Sequence, residues 1–217
     1  MATKTHLFKG IDEGKLKDFL AAKGAVEHRV LKEDYIFREG EEPEGLFILL
    51  EGAVEVEKIS ISGNRQVVNR FTSPGTVFGE VYIFLDNRPY DFGCVAYEES
   101  RILYIPKAAF EAGGEDVAER LISNMLGILS QKALFLNQKM LILSAGSLRK
   151  KIAMHLLQKL PSGGTMQLMK REDLAQYLAV PRPSLSRELM KLHREGYIQL
   201  DGRMITFDAL KLEEILF

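Results

Sequence analysis

Residues 171–195, REDLAQYLAVPRPSLSRELMKLHRE, constrain the fold of this chain more than any other stretch. Leu174 and Leu178 stand four apart, so they share one face of a helix, and small Ala175 beside them lets a second helix approach closely. Ala179-Val180-Pro181 ends that pattern, because Pro181 has no N–H to donate and biases Val180 away from helical dihedrals. Pro183 suits the first turn of a new helix, where its missing N–H costs little. On this second helix Leu185, Leu189 and Leu192 recur at i, i+4 and i+7 and face inward. Ser184, Arg187, Lys191 and Arg194 recur at i, i+3, i+7 and i+10 and face outward together. Gly196 is a helix stop. Residues 197–200 and 203–207 flank Asp201-Gly202, a two-residue hairpin signal. Helix, turn, helix and wing in this order are the arrangement that lays a second helix in the DNA major groove. One amphipathic pair alone would fit a small bundle with a solvated charged face; the turn, the polar face and the hairpin together favour DNA.

Charge supports that reading through its distribution and not its sum. The net charge is −1, but residues 145–217 hold 12 of the 29 Lys and Arg and only 8 of the 30 Asp and Glu. The reader is therefore about +4 on an acidic chain, as phosphate neutralisation requires. Hydrophobic residues at 46% and charged residues at 27% describe an ordinary globular protein of one large or two modest domains. No apolar run reaches 18 residues, so no membrane span is expected. MATKTHLFKG lacks the apolar core of a signal peptide. The single cysteine, Cys94, excludes an intramolecular disulfide, and a cytoplasmic location fits these features.

Ahead of the reader, residues 26–106 alternate short β-type runs with glycine turns, the spacing of a sandwich or barrel. Val54-Glu55-Val56-Glu57 alternates with period two. Short helices are expected at 12–22 and 107–111. A long helix follows over 116–143 with two apolar stripes. Ile122, Leu126, Leu129, Ala133, Leu136, Met140 and Leu143 follow alternating spacings of four and three, a heptad seam. Leu121, Met125, Ile128, Phe135 and Ile142 lie beside it. Two stripes need two partners, the helix's own β-domain and the same helix of a second copy; one wide core-facing helix in a monomer is the alternative. Ala145-Gly146-Ser147 breaks the helix and is the expected hinge, with Ser147 capping the segment that follows.

Phe37-Arg38-Glu39-Gly40, residues 46–52, Pro74-Gly75-Thr76-Val77-Phe78-Gly79-Glu80, the long helix and Ser184-Leu185-Ser186-Arg187, taken in order, resemble the CRP/FNR family of bacterial transcription factors (cyclic-AMP receptor and fumarate-nitrate regulator) over nearly the full length. The resemblance implies an α+β chain with an N-terminal double-stranded β-roll of cyclic-nucleotide-binding type over 1–115. A dimerisation helix over 116–144 and a winged helix-turn-helix over 145–217 complete it. It also implies an effector-controlled regulator, not an enzyme, that binds a double-stranded operator as a homodimer and meets RNA polymerase. Its effector would sit among Gly79, Glu80, Tyr90, Asp91, Leu136 and Asn137. Effector binding would shift the hinge near 145–147 and set two recognition helices one helical turn, ~34 Å, apart.

Two departures from the family pattern bear on specificity. Cyclic-nucleotide-binding members carry an Arg-Ser pair about eleven residues after the Gly-Glu, and the Arg holds the cyclic phosphate. Tyr90 and Asp91 stand there, so the guanidinium fork is lost and a carboxylate is gained. Arg88 is cut off from the strand by Pro89. An effector other than cyclic AMP is expected, with Glu80 kept for structure; a cyclic-nucleotide-responsive regulator with a rearranged phosphate site is the alternative. An iron–sulfur cluster is not expected, since Cys94 is alone. Nor is haem, for which only His6 and His28 would offer axial nitrogens, and the four histidines lack metal-binding spacing. In the reader, Pro183 stands where members commonly place a glutamate that accepts from cytosine. Arg182 and Arg187 remain as base contacts, Lys191 joins them on the outer face, and Ser184, Ser186, Lys170 and Arg171 are phosphate contacts. A cupin-like enzyme would need clustered His and Glu on strands, where only His28 stands. Residues 171–207 count against a nucleotide-responsive subunit with no DNA role.

Overall fold

The computed structural model describes residues 5–60, 62–111 and 114–217, which divide after Gln131 into two compact units. The first opens with α1 (Glu13–Ala22), whose N-cap Asp12 accepts from the Lys15 amide at 3.0 Å. Eight strands follow: β1 (Val26–Val30), β2 (Tyr35–Phe37), β3 (Gly45–Glu51), β4 (Val54–Ile59), β5 (Arg65–Phe71), β6 (Val77–Phe78), β7 (Gly93–Ala96) and β8 (Ser100–Pro106). They form two four-stranded antiparallel sheets, ordered β1-β8-β3-β6 and β2-β7-β4-β5. The chain passes repeatedly from one sheet to the other, which makes a roll. A short helix, α2 (Glu80–Ile83), lies between β6 and β7.

The apolar run of β3 has a direct cause. Successive side chains on a strand point to opposite faces. Phe47 and Leu49 join Phe37, Phe78, Tyr90, Cys94 and Ile102 between the sheets. Leu46 and Ile48 turn the other way, onto α1 and the start of α3 (Asp116–Ser144), where Leu16, Phe19, Leu121 and Met125 are buried. A strand buried on both faces reads as continuously apolar rather than alternating. At the turn after β3, Gly52 has φ +89°, and a Cβ there would lie 2.4 Å from the Ser100 hydroxyl and 2.6 Å from the Glu99 carbonyl. Only glycine fits.

Period two on β4 suggests that Glu55 and Glu57 face water, yet they are only 1% and 3% exposed. Arg65 and Arg70 lie over Glu55, and Arg65 and the Tyr35 hydroxyl lie over Glu57, the last at 2.6 Å. The carboxylates point outward as expected, but their cationic neighbours on β5 cover them. The short helix expected at 107–111 is a single 3-10 turn, Lys107–Phe110.

The second unit holds the end of α3, then α4 (Leu148–Lys159), β9 (Gly164–Gln167), α5 (Arg171–Tyr177), α6 (Arg182–Arg194), β10 (Ile198–Asp201), β11 (Met204–Phe207) and α7 (Ala209–Glu213). Ser147 caps α4 by accepting from the Lys150 amide at 3.2 Å. Asp201 pairs with Met204, so the two-residue turn joining β10 and β11 is Gly202-Arg203, one residue later than the expected Asp201-Gly202, and β9 adds to β11. Leu174, Leu178, Leu185, Leu189 and Leu192 share one core with Ile142, Ile152, Leu156 and Ile205. The break between α5 and α6 comes two residues before Pro181: Ala179 adopts φ +52°, and the Val180 amide returns to the Ala175 carbonyl at 3.0 Å. A left-handed alanine costs roughly 1–2 kcal/mol, which the packing of two leucine-lined helices sustains.

His155 of α4 is 2% exposed and 5.1 Å from the Tyr177 ring, and its Nδ1 is buried with no hydrogen-bond partner among the described residues. Burial, aided by Lys159, lowers its pKa from 6.5 to about 4. Between those values the unfolded chain binds a proton that the folded chain refuses. Stability therefore rises with pH across the window and falls as pH drops from about 6.5 towards 4. Urea unfolding at pH 7.5 and pH 5 should differ by a His155 contribution on the order of 2 kcal/mol. His155→Leu should remove that part of the slope; an unchanged slope would place its origin elsewhere.

Candidate nucleic-acid interface and effector site

The seating of α6 fixes what it presents. Leu185, Leu189 and Leu192 are buried, which turns Arg187, Lys191 and Arg194 outward, all exposed, while Ser184 and Ser186 are half-buried. A shallow groove along this face runs from Leu148 past Ser184, Ser186, Arg187, Met190, Lys191 and Arg194. The Arg187 Nε donates to the Pro183 carbonyl at 3.4 Å. Arg182, the first residue of α6, pairs with Glu172 of α5 at 2.6 Å, and both side chains are exposed. Lys170 is exposed immediately before α5. Arg171 differs: it is half-buried, its Nη1 is enclosed with no hydrogen-bond partner among the described residues, and burial lowers its pKa.

The spacing of charges did not point to Arg149. From the first turn of α4 it reaches Glu188 at 2.8 Å and Glu195 at 2.7 Å, both on or at the end of α6. Glu195 and Glu188 hold the guanidinium further above its ordinary range, and Arg149 in turn lowers the Glu195 carboxyl. These partners lie 39 and 46 residues away in sequence, beyond the reach of any periodicity. Arg203 likewise has no signature in the sequence; its guanidinium donates twice to the Leu168 carbonyl, at 2.9 and 3.3 Å, and ties the hairpin to the segment before α5.

In the roll, Gly79 starts α2 with φ +75°, and a Cβ there would meet the Phe47 ring at 3.1 Å. Glu80 is 3% exposed. Tyr90 is buried: its ring stacks on Phe37 at 4.0 Å, meets Tyr82 edge-on at 5.0 Å, and its hydroxyl donates to the Gly45 carbonyl at 3.4 Å. Burial pushes that hydroxyl's pKa well up. Phe47, Phe78 and Phe71 extend the stack. Asp91 is occupied by Arg88 at 2.9 Å, and this pairing holds its carboxyl low. A cavity of about 680 Å³ opens between the edges of β1 and β2, floored by Phe37, Phe47, Tyr90 and Tyr104 and rimmed by Glu41, Glu42 and Glu44. Tyr90 alone of the expected effector residues lines it, since the rings come from four separate segments. Cys94 is fully buried, and burial pushes its thiol up. Among the described residues no three His, Cys, Asp or Glu side chains are grouped as a metal site needs.

Residues 27–113 match the cyclic nucleotide-binding domain, and residues 150–215 match the Crp-like helix-turn-helix domain. The chain belongs to the CRP/FNR family of transcription regulators. It is 29% identical over 194 residues to the transcriptional regulator LdrP of Thermus thermophilus, covering 85% of this chain and 94% of that one. It is 23% identical to a CRP-like cAMP-activated global transcriptional regulator of Mycobacterium tuberculosis, over 78% of each. The crystal structure of the Thermus thermophilus catabolite activator protein shares the fold at a TM-score of 0.54 and 22% identity, with 97% of this chain and 98% of that one covered. As a CRP/FNR member the protein is a DNA-binding transcription regulator and not an enzyme.

The long helix of this regulator divides its stripes. Leu121 and Met125 are buried against the roll, Ile122, Ile128 and Leu129 pack partly on it, and Ile142 is buried in the reader core. Leu126, Leu136 and Met140 are 61%, 61% and 63% exposed; Ala133 is exposed and Leu143 half-buried. Phe135, expected in the buried stripe, is half exposed with its ring 6.4 Å from Tyr177. Leu136 and Asn137 are both exposed on the second half of α3. No helix among the described residues is long and apolar enough to cross a membrane.

The Tyr90 stack makes a direct prediction. Tyr90→Ala should destabilise the protein by roughly 3 kcal/mol, as for other buried aromatic truncations, whereas Tyr90→Phe should cost under about 1 kcal/mol. Thermal melting of the two variants separates a packing role from a hydroxyl role.

Proposed function

We propose that this protein is a homodimeric, cytoplasmic regulator that reads a two-fold operator with α6, under the control of an effector other than cyclic AMP, and acts on RNA polymerase. The observation that carries the proposal is the pairing of two faces. The cationic, hydroxyl-bearing side of α6 faces outward while its leucines are buried. Leu126, Ala133, Leu136 and Met140 of α3 leave an apolar seam in water. Exposed apolar surface of this kind marks an association site, and a heptad spacing suits a second copy of the same helix. Two-fold symmetry then matches the half-site arrangement of helix-turn-helix operators.

On this reading Arg187 is the principal base contact, through a guanine O6/N7 pair, and Arg182 joins it when released from Glu172. Lys191, Ser184, Ser186 and Lys170 position the backbone, and Arg171 contributes with whichever nitrogens its half-buried setting leaves free. The case against cyclic AMP is electrostatic. A cyclic phosphate would meet an aromatic ring at Tyr90, and the nearby Arg88 is neutralised by Asp91. The match to the cyclic nucleotide-binding domain keeps a nucleotide with a rearranged phosphate site as the second reading. Of the four roll residues, Gly79 and Glu80 keep the backbone and buried carboxylate of such a site, and Tyr90 and Asp91 change its chemistry. Leu136 and Asn137 enter only through the family resemblance.

Arg187→Ala should lower operator affinity by about 5- to 150-fold, the worth of one bidentate base contact, with the dimer intact by sedimentation. Met140→Glu should give a monomer with weak operator binding. An Arg187→Ala protein of wild-type affinity would reject the recognition-helix assignment, and a Met140→Glu protein that stays dimeric would reject the seam. Calorimetric titration with cyclic AMP should show no saturable heat; saturable binding would instead support the nucleotide reading.

A further inference from the structure

Directly opposite the buried leucines of α6, the outermost line of side chains is Pro183, Arg187, Met190 and Arg194, all exposed. Two of these four are apolar. Charge alone would explain the arginines on a phosphate-facing surface; it does not explain a proline ring and a half-exposed methionine among them. Pro183 occupies the second position of the helix, where its ring is compatible with helical geometry. Arg187 lies one turn further along the same face and donates back to the Pro183 carbonyl, so pyrrolidine and guanidinium are presented side by side. Residues at this end of a recognition helix are the ones that reach base edges.

The major-groove edges of the bases offer one apolar group, the thymine C5-methyl. Cytosine instead offers an amino donor, and Pro183 has no side-chain acceptor to receive it. Set against the ring, that donor would lose water without gaining a hydrogen bond. We infer that Pro183 is a specificity-determining residue that selects a thymine, through its methyl group, within two base pairs of the guanine contacted by Arg187. The spacing follows from geometry: four helical residues advance ~6 Å, close to two base-pair steps of ~3.4 Å. This rests on the reading of α6 as the recognition helix given above.

The test uses the full-length protein. Selection from random duplexes yields the preferred half-site, and each of its thymines is then replaced in turn by deoxyuridine, which removes the methyl group and keeps every hydrogen-bonding atom. One position within two base pairs of the selected guanine should weaken wild-type binding about three- to fivefold, the worth of one buried methyl. Pro183→Gly should bind thymine and deoxyuridine alike, and Pro183→Glu should shift selection at that position from thymine to cytosine. Thermal melting checks that both variants fold. Wild-type indifference to deoxyuridine at every position overturns the inference while leaving DNA reading by α6 in place, and so does a Pro183→Gly protein that keeps the sensitivity. A selection that enriches no sequence, with Arg187→Ala indistinguishable from wild type, rejects instead the assignment of α6 on which the inference rests.

Discussion

The reader depends on α6 being held from behind. A 13-residue helix is marginal by itself in water, and one carrying four cations and a proline on its outer side gains nothing from its own sequence there. Leu185, Leu189 and Leu192 sink into the core shared with α4, α5 and the wing, and Arg149 grips the polar flank through Glu188 and Glu195. Because anchoring and reading use opposite faces, the outer side chains can change without disturbing the seat. That separation lets Pro183 stand where a glutamate is common in the family.

The long helix solves a similar problem in a different way. Its first turns are buried on the roll and its last on the reader core, through Leu121 and Met125 at one end and Ile142 at the other. Between them the apolar side chains at 126, 134, 136, 140 and 141 are left to water. The uncovered middle of the helix is the surface proposed above for a second copy.

Legibility from sequence followed the range of the interactions. The two reader helices, the hairpin and the Ser147 cap are readable, because each is set by residues within about a dozen positions; the α3 stripes are less so, since Ile122 and Leu129 of the heptad seam pack partly on the roll and Leu134 and Leu141, which belong to neither stripe, are exposed. The spacing of Phe135 puts it with the buried stripe, but only half of its surface finds cover. Pro181 marks the end of the first helix in the sequence, whereas Ala179 makes the turn by going left-handed, a conformation with no signature in an alanine. The covered carboxylates of β4 needed knowledge of which strand lies alongside. The aromatic stack around Tyr90 draws rings from residues 37 to 104, and tyrosine at 90 in place of an arginine shows a missing charge but not the distant rings it packs against.

The ion pair between Arg182 and Glu172 gives the reader an internal counter-ion. When a free arginine meets a phosphate, dissolved ions are released to bulk solvent; when Arg182 does so, it first gives up a carboxylate tethered to its own protein. The exchange conserves the number of ion pairs and leaves Glu172 facing the polyanion. If Arg182 makes the base contact proposed for it, its engagement registers less strongly in the ionic-strength dependence than a count of basic side chains implies, and it favours duplexes whose bases reward Arg182 over those that offer phosphate alone.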